Sequence, residues 1–447
     1  MHTRYDLPLI GATLFLLSWG TVMIYSTGGV YADLQYDDGQ YFLYRHLMHI
    51  LAGLVVLGVA LYVNYHKWQQ FSIWLMLVML ILLILVLIPE VGHEVKGGRR
   101  WLRIGSLSLQ PAELLKIVLI IYVASYLERK QELLAFFFRG LTPNFIVTGI
   151  YLFLVLLQPD FGTVILLATT VLLMLYVGGG SPIQIATSLL GVGVIAGFLI
   201  ASHTYRVRRM LSFLNPWDDP QNSGFQIIQS FIALGTGGWL GKGLGESLQK
   251  RLFLPDAHTD FIFAIIGEEL GFLWICVLII LFSVFIWRGY WIAWNAQDTF
   301  GKHLAFGATT ILSLQIVINL FVVIGLLPTK GLPLPFISYG GTSLVVTMFL
   351  TGLLLNISGR IDPTDEKRQM VFPLQPMFPP MSKDYPSWMF RKFQNFQFCS
   401  SLASFIRIFL LFSLIYTQAA GLIFLPSGFS LPSPALRKLP QIKLIPR

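Results

Sequence analysis

Apolar stretches broken by short polar segments dominate the chain up to about residue 360. Ten stretches stand out: Leu7–Tyr25, His49–Val63, Phe71–Ile88, Pro111–Leu127, Phe145–Leu157, Thr163–Val177, Pro182–Ala201, Phe261–Ile286, Leu304–Ile324 and Ser343–Ile357. Each predicts a membrane-crossing helix. Lipid offers no water to main-chain N–H and C=O groups, and a helix satisfies them internally. Several stretches fall short of the roughly 20 residues a straight span needs, so their bounds are loose. No period-two alternation competes, and the fold class read from the pattern is an all-α polytopic membrane protein. Ten spans put Met1 and Arg360 on one side. The loops Ser26–Arg45, Pro89–Gln110 and Ser202–Thr259 share the other face, where polar and charged residues concentrate. The opposite face has short turns such as Asn64–Gln70 and Gly178–Ser181.

Composition narrows this picture. With 55% hydrophobic and 12% charged residues, an ordinary soluble domain is excluded. Cys276 and Cys399 are the two cysteines, so no disulfide framework or cysteine metal site is built. The first apolar run follows only Arg4 and lacks a small-residue cleavage site, which predicts a retained span. The formal charge of +9 suits anionic lipid or an anionic substrate. Because the cations are scattered over short loops, nucleic acid is a poor partner. The face with the long loops is at least as basic as the other, so either it is cytoplasmic or its cations bind an anion.

The chain's chemistry centres on Leu254–Phe272, LPDAHTDFIFAIIGEELGF. Asp260 sits where a loop becomes a span, with Glu268 and Glu269 two turns further in. A carboxylate there either caps the helix or performs a task. A second segment, GGRRWLRIGSLSLQPAELLK from Gly97 to Lys116, crowds Arg99, Arg100 and Arg103 beside Trp101. In it Glu113 and Lys116 share a helix face, as a local ion pair or as part of a cationic pocket for phosphate. In QPDFG, Gln158–Gly162, Asp160 reads best as the cap of the next helix. The glycines of Gly235–Gly245 fit neither a phosphate-binding nor a dinucleotide loop and read as turns, after a membrane-surface helix near Gly224–Leu234. His258-Thr259-Asp260 is a weak metal signal without a second histidine nearby. Gln315 and Asn319 read as polar glue between helices, and the proline- and glycine-broken Gly325–Ser343 as a re-entrant loop covered by protein.

Together GGRRWLRIGSLSLQPAELLK, QPDFGT, YRVRRM, NPWDDP, LGESLQK, LPDAHTDFIFAIIGEELGF and LPTKGLPLPFISYGGTS resemble, in order, the motifs of the SEDS family of membrane proteins. The resemblance covers roughly Leu7 to Ile357. It implies about ten spans, a cytoplasmic N-terminus and a large extracytoplasmic loop, 202–259, before the eighth. It also implies a peptidoglycan glycosyltransferase of the bacterial cytoplasmic membrane that polymerises lipid II beside a class B penicillin-binding protein and other division proteins. Trp217 and Phe225-Gln226 look more like the division branch, acting at the septum, than the elongation branch. Ser108 stands where many family members carry a basic residue. On this reading Asp260 is the catalytic base. The substrate-binding set is Arg99, Arg100, Glu113, Lys116, Asp160, Arg208, Lys250, His258, Lys330 and Ser338, its cations facing the departing pyrophosphate. No resident cofactor is implied, though a divalent cation such as Mg2+ can share the pyrophosphate's charge. Residues 1–362 form the family domain; 363–447 is an extension with a candidate extra membrane segment at 406–425. A lipid II flippase or a scaffold would explain the spans. The first lacks a visible inverted repeat, and the second leaves the arginines beside Trp101 unexplained.

Overall fold

A computed structural model describes residues 5–361 except 96, 106, 135, 202–211, 223 and 252. Arg208, the YRVRRM motif and the extension at 363–447, with its segment 406–425, lie outside the described residues. Twelve helices and one small sheet are present among the described residues. The helices are α1 (Leu7–Tyr36), α2 (Tyr41–Tyr62), α3 (Tyr65–Gln70), α4 (Ser72–Leu87), α5 (Pro111–Lys130), α6 (Thr142–Leu157), α7 (Phe161–Val177), α8 (Pro182–Ala201), α9 (Phe225–Gly237), α10 (Ile262–Asn295), α11 (Thr299–Val323) and α12 (Gly341–Ser358). A helix covers each of the ten apolar stretches. Six helical segments are long and apolar enough to cross a membrane. α4, α7 and part of α8 are shorter apolar helices. α5 is the exception, because it carries Glu128, Arg129 and Lys130 at its end besides Glu113 and Lys116.

Sequence-local chemistry sets the helix ends. Asp6 caps α1 by accepting from the Leu9 amide at 2.9 Å, and Arg288 of α10 pairs with the same carboxylate at 2.5 Å. α1 stops at Asp37, whose left-handed φ of 53° closes the turn. The most apolar window of α12 is 89% buried and that of α11 is 72%, against 17% for α2, so α11 and α12 form the centre and α2 the rim. Close approach of α2 and α12 depends on Gly352, where a Cβ would press on the Leu57 carbonyl at 2.7 Å. Asn356 of α12 then donates to the carbonyls of Ala60, Leu61 and Val63, at the end of α2 where helical partners run out.

The all-helical expectation needs two corrections. The connection between α4 and α5 is a three-stranded antiparallel sheet: β1 (Gly92–Val95), β2 (Gly98–Ile104) and β3 (Leu107–Leu109), in order β1-β2-β3. Beyond the apolar stretches short hairpins satisfy the main chain, and Gly97 (φ 77°) and Gly105 (φ 63°) supply the turns. The second correction concerns α10. It breaks at Gly271, with φ 81° and ψ −176°, a region open essentially to glycine alone. The glycine-rich segment after α9 fills the break. Lys242 and Gly243 amides donate to the carbonyls of Glu268 and Glu269, while Phe272 and Leu273 amides donate to those of Gly238 and Trp239. These glycines therefore admit backbone against backbone. α9 itself packs a buried face onto α10, and Ser230 donates to the Val323 carbonyl at 2.7 Å, so protein covers the side expected to meet the membrane.

Candidate active site

One end of the bundle gathers the α1–α2 turn, the sheet, the α6–α7 turn, the turn before α10 and the segment 324–340 between α11 and α12. The turn before α10 is built on Asp256 (φ 57°), whose carbonyl accepts from the amides of Thr259, Asp260 and Phe261. α10 starts only at Ile262, and its N-cap position falls on Phe261 with no side-chain cap bond. Asp260 lies one residue earlier and is half-buried. Asn319 of α11 donates to the Asp260 carbonyl at 2.9 Å and to that of Leu332 at 2.8 Å. The Tyr339 amide donates to the His258 carbonyl at 3.0 Å. The turn and the segment 324–340 are thus joined at two points. Gly331 faces the Asp260 side chain, with only 3.1 Å between Oδ2 and the place a Cβ would take.

The segment 324–340 is held from below. Gln315 donates to the Pro333 carbonyl at 2.8 Å and accepts from Lys116 of α5 at 2.9 Å, so it serves as the expected glue between helices and also holds the loop, while Asn319 binds loop carbonyls. Ser338 accepts from the Leu334 amide at 2.8 Å and is buried, which makes it part of the loop's frame. Leu332 packs against Gly162 in the first turn of α7. There Asp160 accepts from the Thr163 amide at 3.2 Å and its hydroxyl at 2.9 Å, as a helix cap does. Burial pushes the Tyr339 phenol above its usual value, with the Arg45 charge pulling the other way.

The expected cations divide into two groups. Lys116 is 1% exposed and lies 2.7 Å from Glu113 and 2.9 Å from the Gln315 side-chain oxygen. Lys250 is likewise buried, 2.8 Å from Glu269 and 3.1 Å from Ser26. Both charges are compensated inside the protein, because a buried ammonium is held only beside an opposite charge. In this structure their charge is therefore met by Glu113 and Glu269. Glu268, fully buried, takes Lys242 at 2.7 Å, Ser247 at 2.5 Å and the amides of Leu248 and Gln249. The paired glutamates therefore clamp the segment 242–250 onto α10, a role that adjacent letters in the sequence do not signal. On the sheet the cations remain accessible. Arg100 donates to the neutral carbonyls of Gln158 and Pro159 at 2.9 and 2.7 Å, Arg99 pairs at 3.3 Å with exposed Glu94, and Arg103 is exposed. Lys330 is half-buried beside Gly331. Among the described residues no group of three or more His, Cys, Asp or Glu side chains comes together as a metal-ligand set.

These features define a multi-pass membrane protein with a half-buried carboxylate at a helix mouth, fixed by its main chain, and accessible arginines on the sheet at the same end of the bundle. The family model described as cell cycle protein, covering FtsW, RodA and SpoVE, matches residues 7–361. The chain belongs to that family, as the motifs of the SEDS proteins imply. It is 45% identical over 361 residues to the probable peptidoglycan glycosyltransferase FtsW of Geobacter metallireducens, covering 81% of this chain and 96% of that protein. It is 42% identical over 358 residues to the stage V sporulation protein E of Bacillus subtilis, covering 80% and 97%. In structure it resembles a chain of a peptidoglycan synthase complex solved for the coordination of polymerization and crosslinking, with TM-score 0.67, 28% identity and coverage of 80% and 99%. The fold also matches the RodA rod shape determining protein of Thermus thermophilus, with TM-score 0.58, 24% identity and coverage of 80% and 98%.

Proposed function

We propose that this chain is a peptidoglycan glycosyltransferase that polymerises lipid II during septal wall synthesis, in the cytoplasmic membrane beside a class B penicillin-binding protein. The observation that carries the mechanism is the placement of Asp260: half-buried, fixed through its carbonyl, and facing the open side of Gly331. The relatives named FtsW support the activity and the division role, and the synthase complex supports the crosslinking partner. In this reading all ten apolar helices span the membrane, the N-terminus is cytoplasmic and the segment 202–259 faces outward.

The chemistry follows from the groups present. A sugar hydroxyl attacks the anomeric carbon of the donor. A carbon–oxygen bond forms, the bond from that carbon to the pyrophosphate oxygen breaks, and the hydroxyl proton passes to the Asp260 carboxylate. A positioned base of this kind contributes about 10²–10⁴-fold. Arg100 and Arg103 stabilise the charge that grows on the leaving pyrophosphate. Attack opposite the leaving group inverts the anomeric carbon. A divalent cation bound with the pyrophosphate would share its charge. The test is Asp260→Asn, purified with its penicillin-binding partner and given labelled lipid II. The expected result is a loss of at least roughly 100-fold at unchanged folding. Polymerisation within a few-fold of wild type would remove Asp260 from the reaction, and translocation without polymer in sealed vesicles would make the chain a flippase.

A further inference from the structure

On the Asp260 face α1 outruns its own apolar stretch. The apolar stretch ends near Tyr25, yet the helix continues to Tyr36. Its last turns carry Tyr31 and Tyr36, 36% and 45% exposed, and α2 returns with Tyr41 and Phe42. The rings of Tyr36 and Tyr41 stack with centroids 4.1 Å apart, and Tyr36 meets Phe42 at 6.1 Å. Phe42 lies 4.8 Å from the His258 ring, and Tyr31 lies 5.5 Å from it. His258 stands two residues before Asp260. A continuous aromatic shelf therefore leads from solvent to the turn that carries the proposed base.

We propose that this shelf binds the sugar rings of the growing glycan strand, away from its lipid-linked end. The inference rests on the glycosyltransferase reading above. Exposed Asp33, Asp37 and Asp38 border the shelf. Aromatic faces beside carboxylates suit a neutral N-acetylated sugar, whose C–H faces lie on rings and whose hydroxyls donate to carboxylates. The same carboxylates repel a pyrophosphate, so the lipid-linked end belongs elsewhere. The accessible arginines of β2 offer it a place across the site. The segment 324–340 connects the two sides: Leu332 packs against Gly162 in the first turn of α7, just after the α6–α7 turn that Arg100 holds, and Tyr339 meets Phe42 at 5.0 Å. Asp260 then lies between a cationic half and an aromatic, acidic half, an order that a strand leaving its pyrophosphate end at the arginines would follow. A membrane-boundary belt would leave tyrosine rings among headgroups. Here one face of Tyr36 is covered by Tyr41, and Tyr41 also carries the Arg45 guanidinium 4.6 Å from its ring centre.

The experiment uses full-length protein in nanodiscs and chitotetraose, a soluble N-acetylglucosamine tetrasaccharide, followed by saturation-transfer NMR. Wild type and Asp260→Asn bind it, and Tyr36→Ala/Tyr41→Ala binds about tenfold more weakly. Excess inorganic pyrophosphate leaves binding unchanged. With lipid II and the penicillin-binding partner, the tyrosine variant yields shorter strands at equal total bonds formed. Tyr36→Leu/Tyr41→Leu, which keeps apolar bulk, repeats both results if the alanine variant misfolds. Unchanged tetrasaccharide binding or unchanged strand length in a folded tyrosine variant overturns the proposal, as does displacement by pyrophosphate. If wild type binds the tetrasaccharide through these tyrosines but never polymerises lipid II, the saccharide site stands and the glycosyltransferase reading falls.

Discussion

Gly331→Ala separates position from chemistry at Asp260. The glycine is exposed, and its main chain is outside the left-handed region, so the backbone accepts alanine. The nearest atom a new methyl would meet is Asp260 Oδ2, at 3.1 Å. Comfortable carbon–oxygen packing needs a few tenths of an ångström more, so the carboxylate shifts by about 0.3–0.5 Å. The shift is confined to the far end of one side chain and leaves the main chain in place, so stability changes by about 0.5 kcal/mol or less. The cost falls on catalysis. A misplacement of about 1 Å costs about 100-fold, so half of that predicts a fall in kcat of about tenfold, equivalent to about 1.4 kcal/mol.

The assay is initial-rate polymerisation of labelled lipid II by purified protein with its penicillin-binding partner, alongside thermal unfolding in the same detergent. The expected signature is a lower kcat with KM and melting temperature little changed. The double variant supplies a stricter check. On an Asp260→Asn background, Gly331→Ala should add nothing, since both changes act through one carboxylate. A single variant within about twofold of wild type, or full additivity in the double, would refute the claim that Gly331 sets where the base sits.

Lys116→Met should cost about 3–5 kcal/mol, read as a lower melting temperature and poor yield, because it leaves Glu113 buried without its 2.7 Å partner. Adding Glu113→Gln should recover most of that loss, and a Lys116→Met protein as stable as wild type would contradict the buried pair. Gly271→Ala should loosen the segment 238–250, since its Cβ would collide with the backbone of Trp239, Leu240 and Gly241 at a φ of 81°. Trypsin cleavage at Lys242 and Lys250 should then rise at least several-fold; an unchanged digestion pattern would show that the inserted segment does not depend on the break.

Residues whose environment is local were legible in the sequence. The apolar runs locate the helices, and Asp160 caps α7 through Thr163, three residues away. Part of the sheet was legible too, had alternation been sought outside the spans: the β2–β3 register pairs Leu102 with Leu109 and Ile104 with Leu107. What stayed hidden depends on distant partners. Nothing near Glu268 predicts Lys242, Ser247 and two amides, and nothing near Gly271 predicts that a glycine-rich segment will occupy its break. Lys116 and Lys250 were legible as cations but not as compensated ones, because the sequence does not reveal burial. The contact of Asp260 with Gly331 and the clamp of Asn319 join positions that pair only once α11 turns back into the segment 324–340.

Burial also decides which carboxylate at this end can act as a base. A base must come within hydrogen-bond reach of the hydroxyl it deprotonates. Glu268, Glu269 and Glu113 are 0%, 1% and 3% exposed, and each is closed over by a lysine. Asp160 is 7% exposed and binds Thr163 through both its amide and its hydroxyl. A sugar hydroxyl reaches none of these without unmaking the contacts that hold α5, α7 or α10 in place. Asp260 differs in exposure. It is half-buried, its main chain is fixed by Asn319, and its Oδ2 lies 3.1 Å from where a Cβ on exposed Gly331 would stand. The fold thus uses its fully buried acids to hold the site's walls and keeps Asp260 half-buried at the mouth, on the turn that meets the aromatic rings of the α1–α2 end.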